Sequence, residues 1–183
     1  KDLQFVHIAG TNGKGSVLAY VSTILKAAGY KVGRYVSPTI FEYRERIQVN
    51  NRSITKKALG EYVERMKLIC EELVAEGKPH PTPFEVETAM AFTYFKEQGC
   101  DIVVMETGMG GRQDATNIIE NTLVAVLVSI SMDHMQFLGK DLTAIATEKA
   151  GIIKKGCHVV TTLQEPEVQL VIEKQATSCS ATV

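Results

Sequence analysis

The sequence predicts an α/β domain with a mostly parallel central sheet flanked by helices. Three observations lead there. Short apolar runs alternate with longer runs of helical periodicity along most of the 183 residues. The runs "LQFVHIA", "CDIVVME" and "NTLVAVLV" are continuously apolar, as expected of strands covered on both faces by helices. Polar and glycine-rich clusters follow directly after such runs, at 10–16, 106–117 and 131–134, where open parallel sheets bind their ligands.

Taken in order, "LQFVHIAG" is a buried strand running into a glycine turn. "GKGSVLAYVSTILKAAGY" carries helical spacing, with Val17, Val21, Ile24, Leu25 and Ala28 expected on one buried face and Gly29 at its end. "KVGRYVS" is a second strand, stopped at Pro38. "ERIQVNNRSIT" alternates, and Asn50-Asn51 is expected to turn a small antiparallel hairpin. From Thr55 to about Glu76 the pattern is helical, and "GKPHPTP" is a linker with three prolines. Thr82 or Pro83 opens a helix that ends at Gly99. "CDIVVMETG" and "NTLVAVLVSIS" are strands, "DLTAIATEKAGIIKKG" is helix-like, "CHVVTTL" is a strand and "PEVQLVIEKQAT" a helix. The final "SCSATV" resembles the start of another strand, and both termini are expected to be cut points in a larger protein.

Bulk properties narrow the function. A length of 183 residues with 45% hydrophobic content suits one good-sized core. Twenty basic residues against 21 acidic ones leave a net charge of -1, which gives no basis for general binding to nucleic acid or to anionic membranes. The cysteines at 70, 100, 157 and 179 have no metal or redox spacing and are expected to be free thiols in the cytoplasm. No signal peptide and no apolar run of membrane-spanning length is present.

"AGTNGKGS", residues 9–16, has the order of a phosphate loop but departs from G-x-x-x-x-G-K-[ST] at Ile8 and Gly15. Gly10 and Gly13 would let backbone N–H groups approach phosphate oxygens, the following helix would aim its N-terminus there, and Lys14 would add a point charge. The alternative is an ordinary turn with a surface lysine. Gly15 removes the hydroxyl that normally meets magnesium. Ser16, one residue on, is rotated by about 100° on a helix, so it does not replace it.

Taken singly, other residues stay open. Ser37 reads as a Ser-Pro turn cap before it reads as a ligand. Glu106 ends an apolar strand, where a carboxylate is costly unless it caps a turn or pairs with Arg112. His134 is one of four histidines. Lys149 reads as helical and solvent-facing, paired with Glu148 or Asp133. Phe84 reads as a core residue at the start of a helix.

Six ordered blocks then resemble one family: "HIAGTNGKGS", "YVSPTIFEYRERIQVN", "TPFEVETAMAFTYF", "METGMGGRQDATN", "SISMDHMQFLG" and "TEKAGIIKKG". Their order is that of folylpolyglutamate synthases, a pattern shared by dihydrofolate synthases, and both form a branch of the Mur ligase superfamily. The resemblance runs from about residue 5 to 160.

It implies a P-loop NTPase-like Mur ligase central domain spanning 1–183, without the family's smaller C-terminal Rossmann-like domain. It implies an ATP-dependent amide ligase that adds L-glutamate to the γ-carboxyl of a reduced folate through an acyl phosphate, or to dihydropteroate, as a monomer when full length. Residue by residue, it implies nucleotide contacts at Gly10, Thr11, Asn12, Gly13, Lys14, Gly15 and Ser16, and magnesium ligation by Ser37, Glu106, His134 and Lys149. It gives Lys14, His134 and Lys149 the catalytic roles, with Lys149 carbamylated. For Arg112 and Asp114 it leaves two roles, ligand contact or a self-bonded loop that holds the site open. Thr39, Thr107 and Ser131-Met132 depart from the family's usual residues. The rivals are a cell-wall Mur ligase, disfavoured by "GKGS" and "GGRQDATN", and a nucleotide-binding module without catalysis.

Overall fold

A computed structural model of the chain describes residues 2–132 and 141–183. The elements are β1 (Gln4–Ala9), α1 (Lys14–Ala27), β2 (Val32–Tyr35), a 3-10 turn (Tyr43–Arg46), β3 (Ile47–Val49), β4 (Arg52–Ser53), α2 (Lys56–Ala75) and α3 (Pro83–Glu97). They continue with β5 (Ile102–Glu106), a second 3-10 turn (Ala115–Ile118), β6 (Thr122–Leu127), α4 (Leu142–Ala150), β7 (His158–Thr161) and α5 (Pro166–Ser178).

The strands form one seven-stranded sheet in the order β4-β3-β2-β5-β1-β6-β7. β2, β5, β1, β6 and β7 are mutually parallel. β3 and β4 run antiparallel on the β2 edge, and Asn50 and Asn51 turn the hairpin with φ of 51° and 62°. These are the left-handed values that asparagine tolerates best after glycine. Register decides where the site sits. Ile8 pairs with Glu106 and Ala9 with Leu127, so β1, β5 and β6 end side by side and their loops converge.

Alternate residues of the interior strands feed opposite layers. Val6, Ile8 and Val104 pack with Leu18 under α1. Phe5, Val103 and Met105 pack with Phe95 under α3, and a third cluster joins Leu127 to Ile145 and Ile172 under α4 and α5. The side chain of Phe95 is fully buried, which contributes about 1.5–3 kcal/mol.

Helix boundaries follow their local chemistry. Thr55 caps α2 by accepting from the Ala58 N–H. Thr82 and Glu85 form a reciprocal capping box at α3, with Pro83 in the first turn. Asp141 caps α4, which stops at Ala150 rather than running through "GIIKKG". The buried stripe of α1 also differs from expectation: it is centred on Leu18 and Ser22, flanked by Val21 and Leu25, while Ile24 is 65% exposed. The helix is apolar over more than one face, and the docking angle against β2 and β5 selects which face is covered. At the chain's end Thr182 makes a single parallel bridge to His158 beside β7, a fraction of the strand expected there.

Candidate active site

The phosphate loop joins β1 to α1 at the carboxyl edge of the sheet. Gly10 has a φ of 150°, and a Cβ there would stand 2.2 Å from Val128 Cγ2, so only glycine fits. Gly13 takes the left-handed conformation at the N-cap of α1 with no side-chain cap, leaving the first-turn N–H groups of the helix for an anion. The Lys14 ammonium folds back over the loop, 2.9 Å from the Gly10 carbonyl and 3.4 Å from that of Thr11.

The other wall of the loop is clipped to the segment after β6. Thr11 N–H donates to the Ser129 carbonyl at 2.8 Å. The Thr11 hydroxyl donates to the Ser131 carbonyl and accepts from the Ser131 N–H, both at 3.1 Å, and Ser129 Oγ donates to the Asn12 carbonyl at 3.1 Å. The side chain of Thr11 is therefore committed to the protein. Gly15 and Ser16 are exposed on the first turn of α1.

Glu106 ends β5 and is 4% exposed. Its Oε1 accepts from the Ser37 N–H at 2.7 Å, not from Arg112, and its Oε2 would lie 3.8 Å from a Cβ placed on Gly15. Burial pushes its carboxyl pKa upward, and the Ser37 N–H, Lys14 and Arg34 pull it back down. Ser37 Oγ is buried and has no hydrogen-bond partner among the described residues. A lone hydroxyl oxygen beside a buried carboxylate, next to a phosphate loop, is a donor set of the kind magnesium accepts. Among the described residues no group of three His, Cys, Asp or Glu side chains converges. An ion here would draw its remaining ligands from phosphate, from water or from residues outside the described ones.

Lys149 lies in the last turn of α4 and is 2% exposed, in contrast to the solvent-facing side chain expected from sequence. Its ammonium donates to the Gly10 carbonyl at 3.1 Å, so Lys14 and Lys149 converge on one oxygen. Helical periodicity cannot reveal this, because the contact crosses from α4 to the phosphate loop. His134 and Asp133 lie outside the described residues.

The loop from Glu106 to Asn117 is largely self-bonded. Arg112 N–H donates to the Glu148 carbonyl at 2.7 Å, while its guanidinium reaches the Glu148 carboxylate only at 3.9 Å. Asp114 accepts from the Met109 N–H at 2.8 Å and from the Thr116 N–H at 3.0 Å. Asn117 Nδ2 bridges the carbonyls of Arg112 and Gly151 at 3.0 and 3.2 Å. Of the two roles open for Asp114, the geometry carries the loop-holding one. The loop's glycines admit Phe84 and α4 rather than Glu106: a Cβ on Gly108 would meet the Phe84 ring at 2.6 Å, and one on Gly111 the Glu148 carbonyl at 2.6 Å.

Beside Ser37 this loop walls a cavity of about 610 Å³ lined by Arg46, Phe84, Met109, Gln113 and Asp114. Arg46 binds Glu87 at 2.9 Å, but its Nε is buried without a partner among the described residues. A cavity of about 630 Å³ near Leu3, Phe5, Phe92 and Asn121 opens at the opposite end of the strands, away from the phosphate loop. His7, Thr116 and Arg46 are site-building residues to which sequence reading assigns no role. Their only sequence signal is a polar residue inside an apolar strand or beside the glycine-rich block.

Residues 8–183 match the model of the Mur ligase middle domain. The chain belongs to the Mur ligase family. Within it, this Mur ligase domain falls in the folylpolyglutamate synthase/dihydrofolate synthase branch. It is 45% identical over 177 residues to the dihydrofolate synthase/folylpolyglutamate synthase of Bacillus subtilis, covering 96% of this chain and 41% of that protein. Its structure is similar to Mycobacterium tuberculosis folylpolyglutamate synthase complexed with ADP and AMPPCP, with a TM-score of 0.90 and 39% identity over 100% of this chain and 42% of the other. It is also similar to a folylpolyglutamate synthase–AMPPCP–folate complex, with a TM-score of 0.95 and 37% identity over 100% of this chain and 44% of that one. The Mur ligase domain described by this chain thus spans less than half the length of these relatives.

Proposed function

We propose that the chain is the ATP-binding domain of an amide ligase that joins L-glutamate to the γ-carboxyl of reduced folates, and of dihydropteroate where one enzyme serves both acceptors. The observation that carries this reading is the Ser37 hydroxyl, buried without a partner among the described residues, on the residue whose N–H binds Glu106, while Glu106 Oε2 lies 3.8 Å from a Cβ placed on Gly15 in the phosphate loop. It supplies the oxygen that Gly15 cannot.

Ser37 and Glu106 would hold one Mg2+, with His134 and Lys149 serving a second. Bound there, Mg2+ supplies positive charge to the β- and γ-phosphate oxygens. The N-terminus of α1 receives the phosphates, and Lys14 exchanges its loop carbonyls for phosphate oxygens. The cavity beside Ser37 takes the acceptor, with Phe84 and Met109 as apolar wall and Arg46 as a cationic group. The acceptor carboxylate attacks the γ-phosphorus and ADP leaves. The amine of glutamate then attacks the acyl carbon, phosphate departs and the nitrogen gives up a proton.

No side-chain nucleophile is required. The cysteines are free, and burial pushes the Cys100 thiol up to about 11 and raises that of Cys157, so neither is a thiolate at neutral pH. Lys149 is proposed to be carbamylated, which requires a neutral amine to meet carbon dioxide. Its burial works against the charged form. We place the ligase in the cytoplasm as a monomer, with a C-terminal Rossmann-like domain outside this chain closing over the acyl phosphate. No helix among the described residues is long and apolar enough to cross a membrane.

The test is ADP release by the full-length protein with tetrahydrofolate or dihydropteroate, with and without L-glutamate. Glutamate-dependent turnover on either acceptor is expected, and the two acceptors compared side by side separate the two synthase activities. Glutamate-independent hydrolysis alone, or no turnover on both acceptors, overturns the reading. The 183-residue chain by itself is expected to bind nucleotide without ligating.

A further inference from the structure

His7 lies inside the sheet, paired with Met105 on β5 and Ala125 on β6, and none of its surface reaches solvent. Its Nε2 is 2.9 Å from the Thr116 hydroxyl. The direction of each proton follows from Asp114, whose two oxygens only accept. Oδ2 accepts from the Met109 N–H at 2.8 Å, and Oδ1 accepts from the Thr116 N–H at 3.0 Å and from the Thr116 hydroxyl at 2.6 Å. Thr116 has one hydroxyl proton and spends it on Asp114, so its oxygen must accept from His7. The imidazole therefore carries a proton on Nε2. Burial, assisted by the charge of Lys154, lowers its pKa to about 3, which makes it the neutral Nε2–H tautomer at neutral pH. Nδ1 has no partner among the described residues. A buried polar atom left unpaired costs stability that an apolar side chain would not, so the position retains imidazole against its packing interest.

We infer that His7 is a positioning residue for the acceptor cavity: its Nε2–H ties the turn at Thr116 to the floor of the sheet and thereby sets Asp114 and the Met109 amide in the cavity wall. Met109 and Asp114 line that cavity. The phosphate loop is built on other bonds, from Thr11 and Asn12 to Ser129 and Ser131, and does not depend on this chain of contacts. His7 acts through Thr116 and Asp114 and touches no reacting atom.

The inference rests on the acceptor reading of the cavity, and its test separates the two. In the full-length ligase, KM for tetrahydrofolate and for ATP is measured for wild type, His7→Leu, His7→Gln and Thr116→Val. His7→Leu is expected to raise KM for tetrahydrofolate between about 10- and 100-fold, the scale of a displacement near 1 Å, with KM for ATP within about twofold. Thr116→Val is expected to do the same, and the double variant to add little. His7→Gln carries an amide nitrogen near the place of Nε2 and is expected to recover most of the loss. An unchanged tetrahydrofolate KM in His7→Leu, a parallel rise in both KM values, or equal behaviour of His7→Leu and His7→Gln overturns the inference. If His7→Leu does not fold, His7→Gln is compared with His7→Asn, whose amide nitrogen falls nearer Nδ1; equal KM values overturn it. Amide exchange supplies a readout independent of catalysis. The Met109 N–H should exchange faster in His7→Leu than in wild type, and an unchanged rate refutes the anchoring. A wild-type enzyme without glutamate-dependent turnover fails the ligase reading alone.

Discussion

Ser37 carries a cost that a bound ligand would offset. Its hydroxyl is buried and makes no hydrogen bond among the described residues, while its N–H binds Glu106. Removing an unsatisfied buried group without its neighbours collapsing relieves about 1–3 kcal/mol of desolvation. Ser37→Ala is therefore expected to keep or raise the melting temperature of the ligand-free protein, while weakening magnesium-dependent nucleotide binding at least about 10-fold. Calorimetric titration with and without Mg2+, alongside thermal melts, reads both, and a destabilised variant with intact affinity contradicts it. Gly10→Ala behaves in the opposite way. Its Cβ would fall 2.2 Å from Val128 Cγ2, so either the loop or the segment just after β6 must move, at about 1–3 kcal/mol as for other overpacked sites. Urea unfolding should show that loss, and nucleotide binding should fall with it.

At the scale of elements, α3 joins stability to the cavity. Its capping box at Thr82 fixes the first turn, which also carries Phe84 against Gly108. Thr82→Ala is expected to cost about 1 kcal/mol, a fall of about 2–4 °C in melting temperature for a domain of this size. Thr82→Ser should restore most of it, since the serine hydroxyl accepts the same Glu85 N–H. The start of this helix at Thr82 or Pro83 was legible, because helix-start signals lie within a few residues of chain. So was the asparagine hairpin. The face of α1 was not: Ile24 and Leu18 are equally apolar, and only the sheet beneath decides that Leu18 is covered and Ile24 exposed. The length of α4 was likewise overread, since "GIIKKG" continues an apolar pattern after the helix has ended at Ala150.

For the whole molecule, the buried histidine sets an acid limit. The folded-state pKa of His7 is about 3, below its ordinary value of 6.5, so the folded form resists a proton that the unfolded chain accepts. Above pH 6.5 both forms are neutral and stability is unaffected by this group. As pH falls from about 6.5 toward 3, the unfolded state alone takes up the proton, and folding weakens by at most about 1.4 kcal/mol per pH unit. Chemical unfolding between pH 7 and 5 should show this slope, and His7→Gln should reduce it by about one proton. An identical slope in the two proteins would refute the assignment.

The sequence by itself determined the order of strands and helices, the glycine-rich loop between β1 and α1, and the asparagine hairpin. Each depends on residue type and spacing over a few neighbours, and the ordered blocks were enough to suggest the family. The tertiary structure alone decided which polar groups meet. Ser37 reaches Glu106 across 69 residues, His7 reaches Thr116 across 109, and Lys149 reaches Gly10 across 139. At such separations the partner is chosen by sheet order and register. The same lysine that looks solvated on an isolated helix is therefore buried against the phosphate loop once β1, β5 and β6 end side by side.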